Sequence, residues 1–204
     1  MLGFLFNIFI GYYVFDSLQN MIRLFKEKPM EEYLLSIFHS LFLGSISFFY
    51  LFNLIDSVQW DIISGISLGY ICFESKRCLK DHDYVMILHH FIMCLSLVAP
   101  YIIYFGYLNI PRIHYILARI FICEISNVFL WTAALMYKYK KTDNIIFKIF
   151  SLMSLLSYLM LRVVNFTFIL IYFYNNNITI SFYLMIPILM MNCHWFYMIA
   201  KRTL

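Results

Sequence analysis

The stretch Asp83-YVMILHHFIMCLSL-Val98 decides how this chain is read. It has the apolar continuity of a membrane helix, yet His89 and His90 stand side by side within it. Ionisable groups at membrane depth are costly and generally face a protein interior or a wet cavity, so they mark a functional site. Successive helical positions differ by about 100°, so one imidazole can face a cavity while the other anchors a neighbouring helix.

Composition extends this reading to the whole chain. Of 204 residues, 63% are hydrophobic, 21% aromatic and only 13% charged, far outside the range of a soluble domain. An all-α, multi-pass integral membrane protein follows, with about seven transmembrane helices. The length permits seven spans only with short loops, so a site must lie among the helices. Runs of roughly 20 apolar residues predict helices over 2–22, 34–55, 62–78, 84–107, 113–137, 145–173 and 180–200. Pro29, Pro111 and the Asn175–Asn177 run fall in connections, whereas Pro100 and Pro187 lie inside spans and are candidate kinks. The first helix lacks a basic leader and a small-residue cleavage site, so it reads as a retained anchor.

Basic residues test the span count, because they collect in cytoplasmic loops. Arg23, Lys26 and Lys28 follow the first helix, and Lys76, Arg77 and Lys80 the third; Lys138, Lys140, Lys141 and Lys148 flank the fifth break, and Lys201 and Arg202 close the chain. Of the fifteen Lys and Arg, only Arg112, Arg119 and Arg162 lie elsewhere. Seven spans with a lumenal N-terminus and a cytoplasmic C-terminus fit this alternation. The net charge of +4 is then a matter of membrane orientation and implies no nucleic-acid partner. Five cysteines without a CxxC pair argue against a zinc ribbon or disulfide framework.

Several polar residues share one level. At a rise of about 1.5 Å per residue, His39, His89, His90, His194 and Asp16 all lie roughly 8 Å inside the cytoplasmic face, and Glu74 lies near the same end of its helix. Deeper are Arg119, Glu124 and Asn127 on the fifth helix and Arg162 and Asn165 on the sixth. Glu124 and Asn127 share a face at i,i+3, as do Arg162 and Asn165. A Glu124–Arg162 pair across the two helices is expected, with Arg119 turned off that face. Gly65-ISL-Gly69 is a small-xxx-small pattern suited to close helix packing.

Four stretches in order, Phe38-HSLFL-Gly44, the Asp83–His90 block, Glu124-IS-Asn127 followed by Arg162-VV, and Asn192-CHWFYMIA-Lys201, give the chain a resemblance to the TLC-domain family of ceramide synthases and their non-synthase relatives. The resemblance covers residues 30–204, leaving 1–29 as an N-terminal anchor helix and loop. It implies a six-helix bundle around a lipid cavity, in an endoplasmic reticulum or related internal membrane. It also implies that His89 or His90 acts as base or nucleophile in acyl transfer from acyl-CoA, with Glu124 orienting or charge-balancing it. His39, Asn127, Arg162, Asn165 and His194 would be polar residues of the cavity. The acidic run that follows the double histidine in the synthases is absent; the matching helix reads Arg119-IFICEIS-Asn127, closer to the non-synthase branches.

The leading expectation is therefore a membrane protein that binds and handles lipid acyl chains, sensing lipid or regulating membrane composition. The alternative is an acyl-CoA-dependent lipid acyltransferase using His89 and His90. The expected partners are membrane lipids and an acyl chain or acyl-CoA, and acyl-CoA enters only as a substrate, with no cofactor and no metal. A diiron enzyme would need several histidine boxes, whereas this chain has six histidines and one adjacent pair. A single zinc on His39, His89, His90 or Glu124 is chemically conceivable but is not the leading reading.

Overall fold

The computed structural model describes residues 2–25, 28–56, 58–103 and 112–203. Pro111, Lys26 and most of the 104–112 connection fall outside the described residues. The described elements are all helical: α1 (Leu2–Phe25), α2 (Lys28–Leu51), α3 (Trp60–Lys80), α4 (Tyr84–Ile103), α5 (Ile113–Ile122), α6 (Ile125–Lys138), α7 (Ile145–Ser157), a π-helical segment (Tyr158–Val164), α8 (Asn165–Asn175) and α9 (Thr179–Thr203). Among the described residues, four helical stretches are long and apolar enough to cross a membrane: Tyr33–Leu51, Ile113–Lys138, Ile145–Asn175 and Thr179–Lys201. The chain is a helical membrane protein.

Pro29 departs from the sequence reading. It lies in the first turn of α2 rather than in a connection, because a first-turn residue has no intrahelical partner for the N–H that proline lacks. Pro187 lies within α9, which continues through it.

Helix ends follow local chemistry. After α3, His82 takes a left-handed φ of 56°, and the Asp83 N–H reaches back to the Cys78 carbonyl at 3.0 Å. The Asp83 carboxylate accepts from the Met86 N–H at 3.1 Å, capping the start of α4. One aspartate thus closes α3 and opens the helix that carries His89 and His90. Asn53, Lys140 and Asn177 are also left-handed, and each lies at a helix end closed by the same backward bond, from Leu54 to Phe49, Lys141 to Met136 and Ile178 to Phe173. Asn144 caps α7 by accepting from the Ile146 N–H at 2.9 Å.

Packing closes the helices into a ring. α3 packs on α4, α4 on α9, α9 on the α7–α8 stretch, that stretch on α5–α6, and α5–α6 on α2, which returns to α3. α1 lies outside, mainly along α3. Gly11, Gly65 and Gly69 make that contact, since a Cβ on Gly69 would collide with the backbone of Ile8, Gly11 and Tyr12. The small-xxx-small pattern serves this close approach.

Two helices lose regular register where they face each other. Around Cys123, bonds run i to i−3: Cys123 N–H to Ile120, Glu124 N–H to Phe121, Ser126 N–H to Cys123 and Asn127 N–H to Glu124. Opposite, the π-helical segment carries the buried Tyr158 and Arg162. Tightened and widened turns inside long helices recur at functional sites.

Candidate functional site

A cavity of about 750 Å³ lies within the ring. Exposed Asp81, Asp83 and Val85 line one end, beside the α3–α4 turn, and buried Ser67, Ile71, Ile120 and Phe121 line the other. Between them α2 contributes His39 and Ser40, α3 Glu74, α4 His89 and His90, the α5–α6 turn Glu124 and Asn127, the π segment Tyr158 and Arg162, and α9 His194 and Trp195.

The adjacent histidines have different surroundings. His90 is 4% exposed, and its Nε2 lies 3.4 Å from Glu74 Oε2. Its Nδ1 is 3.1 Å from Ser75 Oγ. Ser75 gives its own hydroxyl hydrogen to the Ile71 carbonyl at 2.7 Å, so it accepts from His90 Nδ1–H. A carboxylate at Glu74 accepts from Nε2–H, and both ring nitrogens of His90 then act as donors. Arg77 Nη2 donates to the other oxygen of Glu74 at 2.8 Å. His90 is therefore clamped to α3. His89 packs edge-on against Trp195, with ring centroids 4.9 Å apart, and its buried Nδ1 has no hydrogen-bond partner.

Glu124 occupies a second polar cluster. It accepts from Ser40 Oγ at 3.1 Å and from Asn127 Nδ2 at 2.8 Å through Oε2, and Arg162 Nη2 lies 3.4 Å from Oε1. Arg162 Nε donates to Ser126 Oγ at 2.8 Å, and its guanidinium sits 5.3 Å from the Tyr158 ring centroid. The expected Glu124–Arg162 pair is formed. The carboxylate within ion-pair distance of His90 is Glu74, not Glu124, because α3 rather than α6 packs beside α4.

His39 is 3% exposed and stacks on Tyr70 at 3.8 Å between centroids; its Nε2 is buried without a hydrogen-bond partner. His194 lines the cavity but is exposed. Asn165 does not line it. Its amide donates to the Arg119 carbonyl at 2.7 Å and its oxygen accepts from Arg119 Nη1 at 3.1 Å. The π register explains the departure: an i→i+5 helix turns less per residue than an α-helix, so Arg162 and Asn165 no longer share a face. Asp16, expected at the histidine level, lies outside the cavity, 3.9 Å from Lys76.

Glu74 is the site residue that sequence reasoning left without a role. Its signal was its depth, at the level of the histidines, on a helix whose short connection to α4 makes the two neighbours. Among the described residues, no group of three or more His, Cys, Asp or Glu is placed to hold a metal ion. Comparison with protein-family models, curated proteins and solved structures finds no match to this chain.

Proposed function

We propose that this protein binds a lipid acyl chain inside its bundle and thereby senses lipid or handles it for the membrane. One observation carries the reading: a cavity of about 750 Å³, within the usual range of small-ligand sites, enclosed by apolar helices and crossed by a charged belt. Apolar lining from Met86, Met93, Phe121, Leu130, Met198 and Ile199 offers a chain the surface it prefers to water. The ring of six helical stretches with α1 outside accords with the TLC-type architecture that the sequence resembles, with seven spans, residues 1–29 as anchor and 30–204 as the lipid-binding domain. The basic turns at one end of the bundle support a cytoplasmic C-terminus, and an internal membrane such as the endoplasmic reticulum is the proposed location.

The unpartnered Nδ1 of His89 favours a second reading, acyl transfer. A neutral imidazole can take the proton of an attacking amine or hydroxyl, as the acyl group passes from the thioester sulfur of acyl-CoA to that nitrogen or oxygen and the CoA thiol departs. His90, held by Glu74 and Ser75, would position α4 rather than exchange protons. Lipids extracted from purified protein, followed by incubation with labelled acyl-CoA and amine or hydroxyl acceptors, test both readings. Bound lipid without turnover supports binding alone; turnover lost in His89→Ala with lipid retained supports transfer; absence of any bound chain refutes both.

A further inference from the structure

Arg119 carries a charge that the cavity does not use. It lies six residues into α5, roughly 9 Å along the helix from Ile113, inside the apolar stretch Ile113–Lys138. Neither Arg119 nor the two aromatic rings beside it line the cavity. A charged side chain at membrane depth is costly and is normally paired.

No such pairing is present. Among the described residues no carboxylate forms an ion pair with Arg119, and its one hydrogen-bonded acceptor there is the neutral Asn165 Oδ1, at 3.1 Å. The sequence supplies no alternative nearby, since neither Tyr84–Cys123 nor Asn144–Leu204 contains an Asp or Glu. Glu124 is taken by Arg162, Ser40 and Asn127.

The guanidinium instead lies against two rings, 5.0 Å from the Tyr115 centroid and 5.9 Å from that of Phe168. Such contacts attract a cation but leave its charge in place. Both rings are exposed, Tyr115 at 42% and Phe168 at 58%, so this half-buried arginine sits on the outer surface of the ring of helices. Its direction is set by Tyr115, one turn earlier: helical side chains lean toward the N-terminus, which here is the membrane boundary at Ile113. A planar fork of N–H donors on an uncompensated charge matches a phosphate.

We propose that Arg119, with Tyr115 and Phe168, forms a membrane-facing site for the phosphate of an anionic phospholipid drawn from the leaflet at the Ile113 end of α5. The lipid's net negative charge compensates the guanidinium, the Tyr115 hydroxyl is a further donor at the same level, and the chains run along the exposed Phe168 and Ile171 of α8. This surface site is separate from acyl-chain binding in the cavity.

The test supplies full-length protein in neutral detergent with equimolar phosphatidylglycerol and phosphatidylcholine of the same chains, and weighs the retained lipid by native mass spectrometry. Phosphatidylglycerol is expected to exceed phosphatidylcholine at least about fivefold, the effect of one basic side chain near a membrane surface. Arg119→Gln loses most of that preference and Arg119→Lys keeps it. Lys138→Gln/Lys140→Gln/Lys141→Gln, at the opposite end of the Ile113–Lys138 stretch, also keeps it. A phosphatidylglycerol with a diazirine close to its head group should cross-link wild-type protein within residues 113–119 and 165–172, which decides the matter where Arg119→Gln is not monodisperse. Equal retention of the two lipids overturns the proposal, as does a preference lost with the lysines but kept without Arg119, or cross-linking confined to other segments. Displacement of the lipid by inorganic phosphate at equal concentration overturns it too, because the site would then serve a soluble anion.

Discussion

Cys123 Sγ donates to the Leu161 carbonyl at 2.6 Å, joining the tightened turn between α5 and α6 to the widened turn between α7 and α8. Each irregularity releases a carbonyl that the other helix uses. In regular α register the Asn165 N–H would bond Leu161, but it goes to Met160, freeing Leu161 for the thiol. The Cys123 N–H goes to Ile120 rather than Arg119, freeing the Arg119 carbonyl for the Asn165 amide. Membrane helices tolerate broken register where neighbouring side chains re-satisfy the backbone in this way. The gain is position, because the two irregular turns carry Glu124 and Arg162 to the cavity.

Removal of one of these cross-links exposes the cost. Asn165→Leu removes the shorter of two contacts to the Arg119 carbonyl, leaving Cys123 Sγ at 3.3 Å, and strips Arg119 Nη1 of its acceptor, so we expect a loss of about 1–3 kcal/mol, the desolvation penalty of an unmade buried bond. Unfolding in mixed micelles by sodium dodecyl sulfate measures it. Thr167→Val, at an exposed site two residues away, serves as the control and should stay within about 0.5 kcal/mol. Equal effects of the two substitutions contradict the cross-satisfied arrangement.

The Glu124–Arg162 pair calls for a double-mutant cycle. Glu124→Leu leaves the buried Arg162 guanidinium without its counter-charge and should cost about 3–5 kcal/mol, whereas Arg162→Leu leaves the part-exposed Glu124 and should cost less. The double variant, with neither charge, should recover much of that loss, since an apolar replacement of a buried pair is often neutral. Additive losses in the same unfolding assay would instead mean that the two residues act separately.

The sequence made much of the scaffold legible because hydropathy reports helix position directly. The helix over 145–173 corresponds to a described stretch ending at Asn175, and the i,i+3 pairing of Glu124 with Asn127 survives even a tightened turn. Azimuth was harder. Asn165 was expected beside Arg162 because the reading assumed 3.6 residues per turn, and no hydropathy signal announces a π register. Glu74 was placed at the correct depth, but its pairing with His90 depends on how α3 and α4 are rotated about their own axes. That rotation is set by tertiary contacts, among them Ser75 on His90, which are invisible one helix at a time.

The two histidines should separate experimentally. His90→Leu removes the clamp and leaves one oxygen of Glu74 without its donor while Arg77 still pairs with the other, so we expect stability lowered by about 1–3 kcal/mol. His89→Leu removes an imidazole whose Nδ1 has no hydrogen-bond partner; it should leave the unfolding midpoint nearly unchanged while abolishing any acyl transfer from acyl-CoA. Measuring unfolding and acyl transfer on both variants yields a crossed pattern if the roles are as described. A parallel loss of both properties in both variants would show that the pair acts as one unit.

The contact between α1 and α3 allows packing to be weighed against charge. Gly69 admits no Cβ because the backbone of Ile8, Gly11 and Tyr12 crosses directly over it, whereas Asp16 and Lys76 meet at 3.9 Å with both side chains substantially exposed. Exposed ion pairs contribute little, being screened and entropically costly to hold. Gly69→Ala should therefore destabilise by about 1–3 kcal/mol through overpacking, and Gly69→Leu should force α1 away from α3. Asp16→Asn should leave stability unchanged. Spin labels at the exposed Val14 of α1 and the exposed Leu79 of α3 report the separation: their distance should stay the same in Asp16→Asn and lengthen in Gly69→Leu. The reverse order would mean that charge, not backbone proximity, holds the outer helix to the ring.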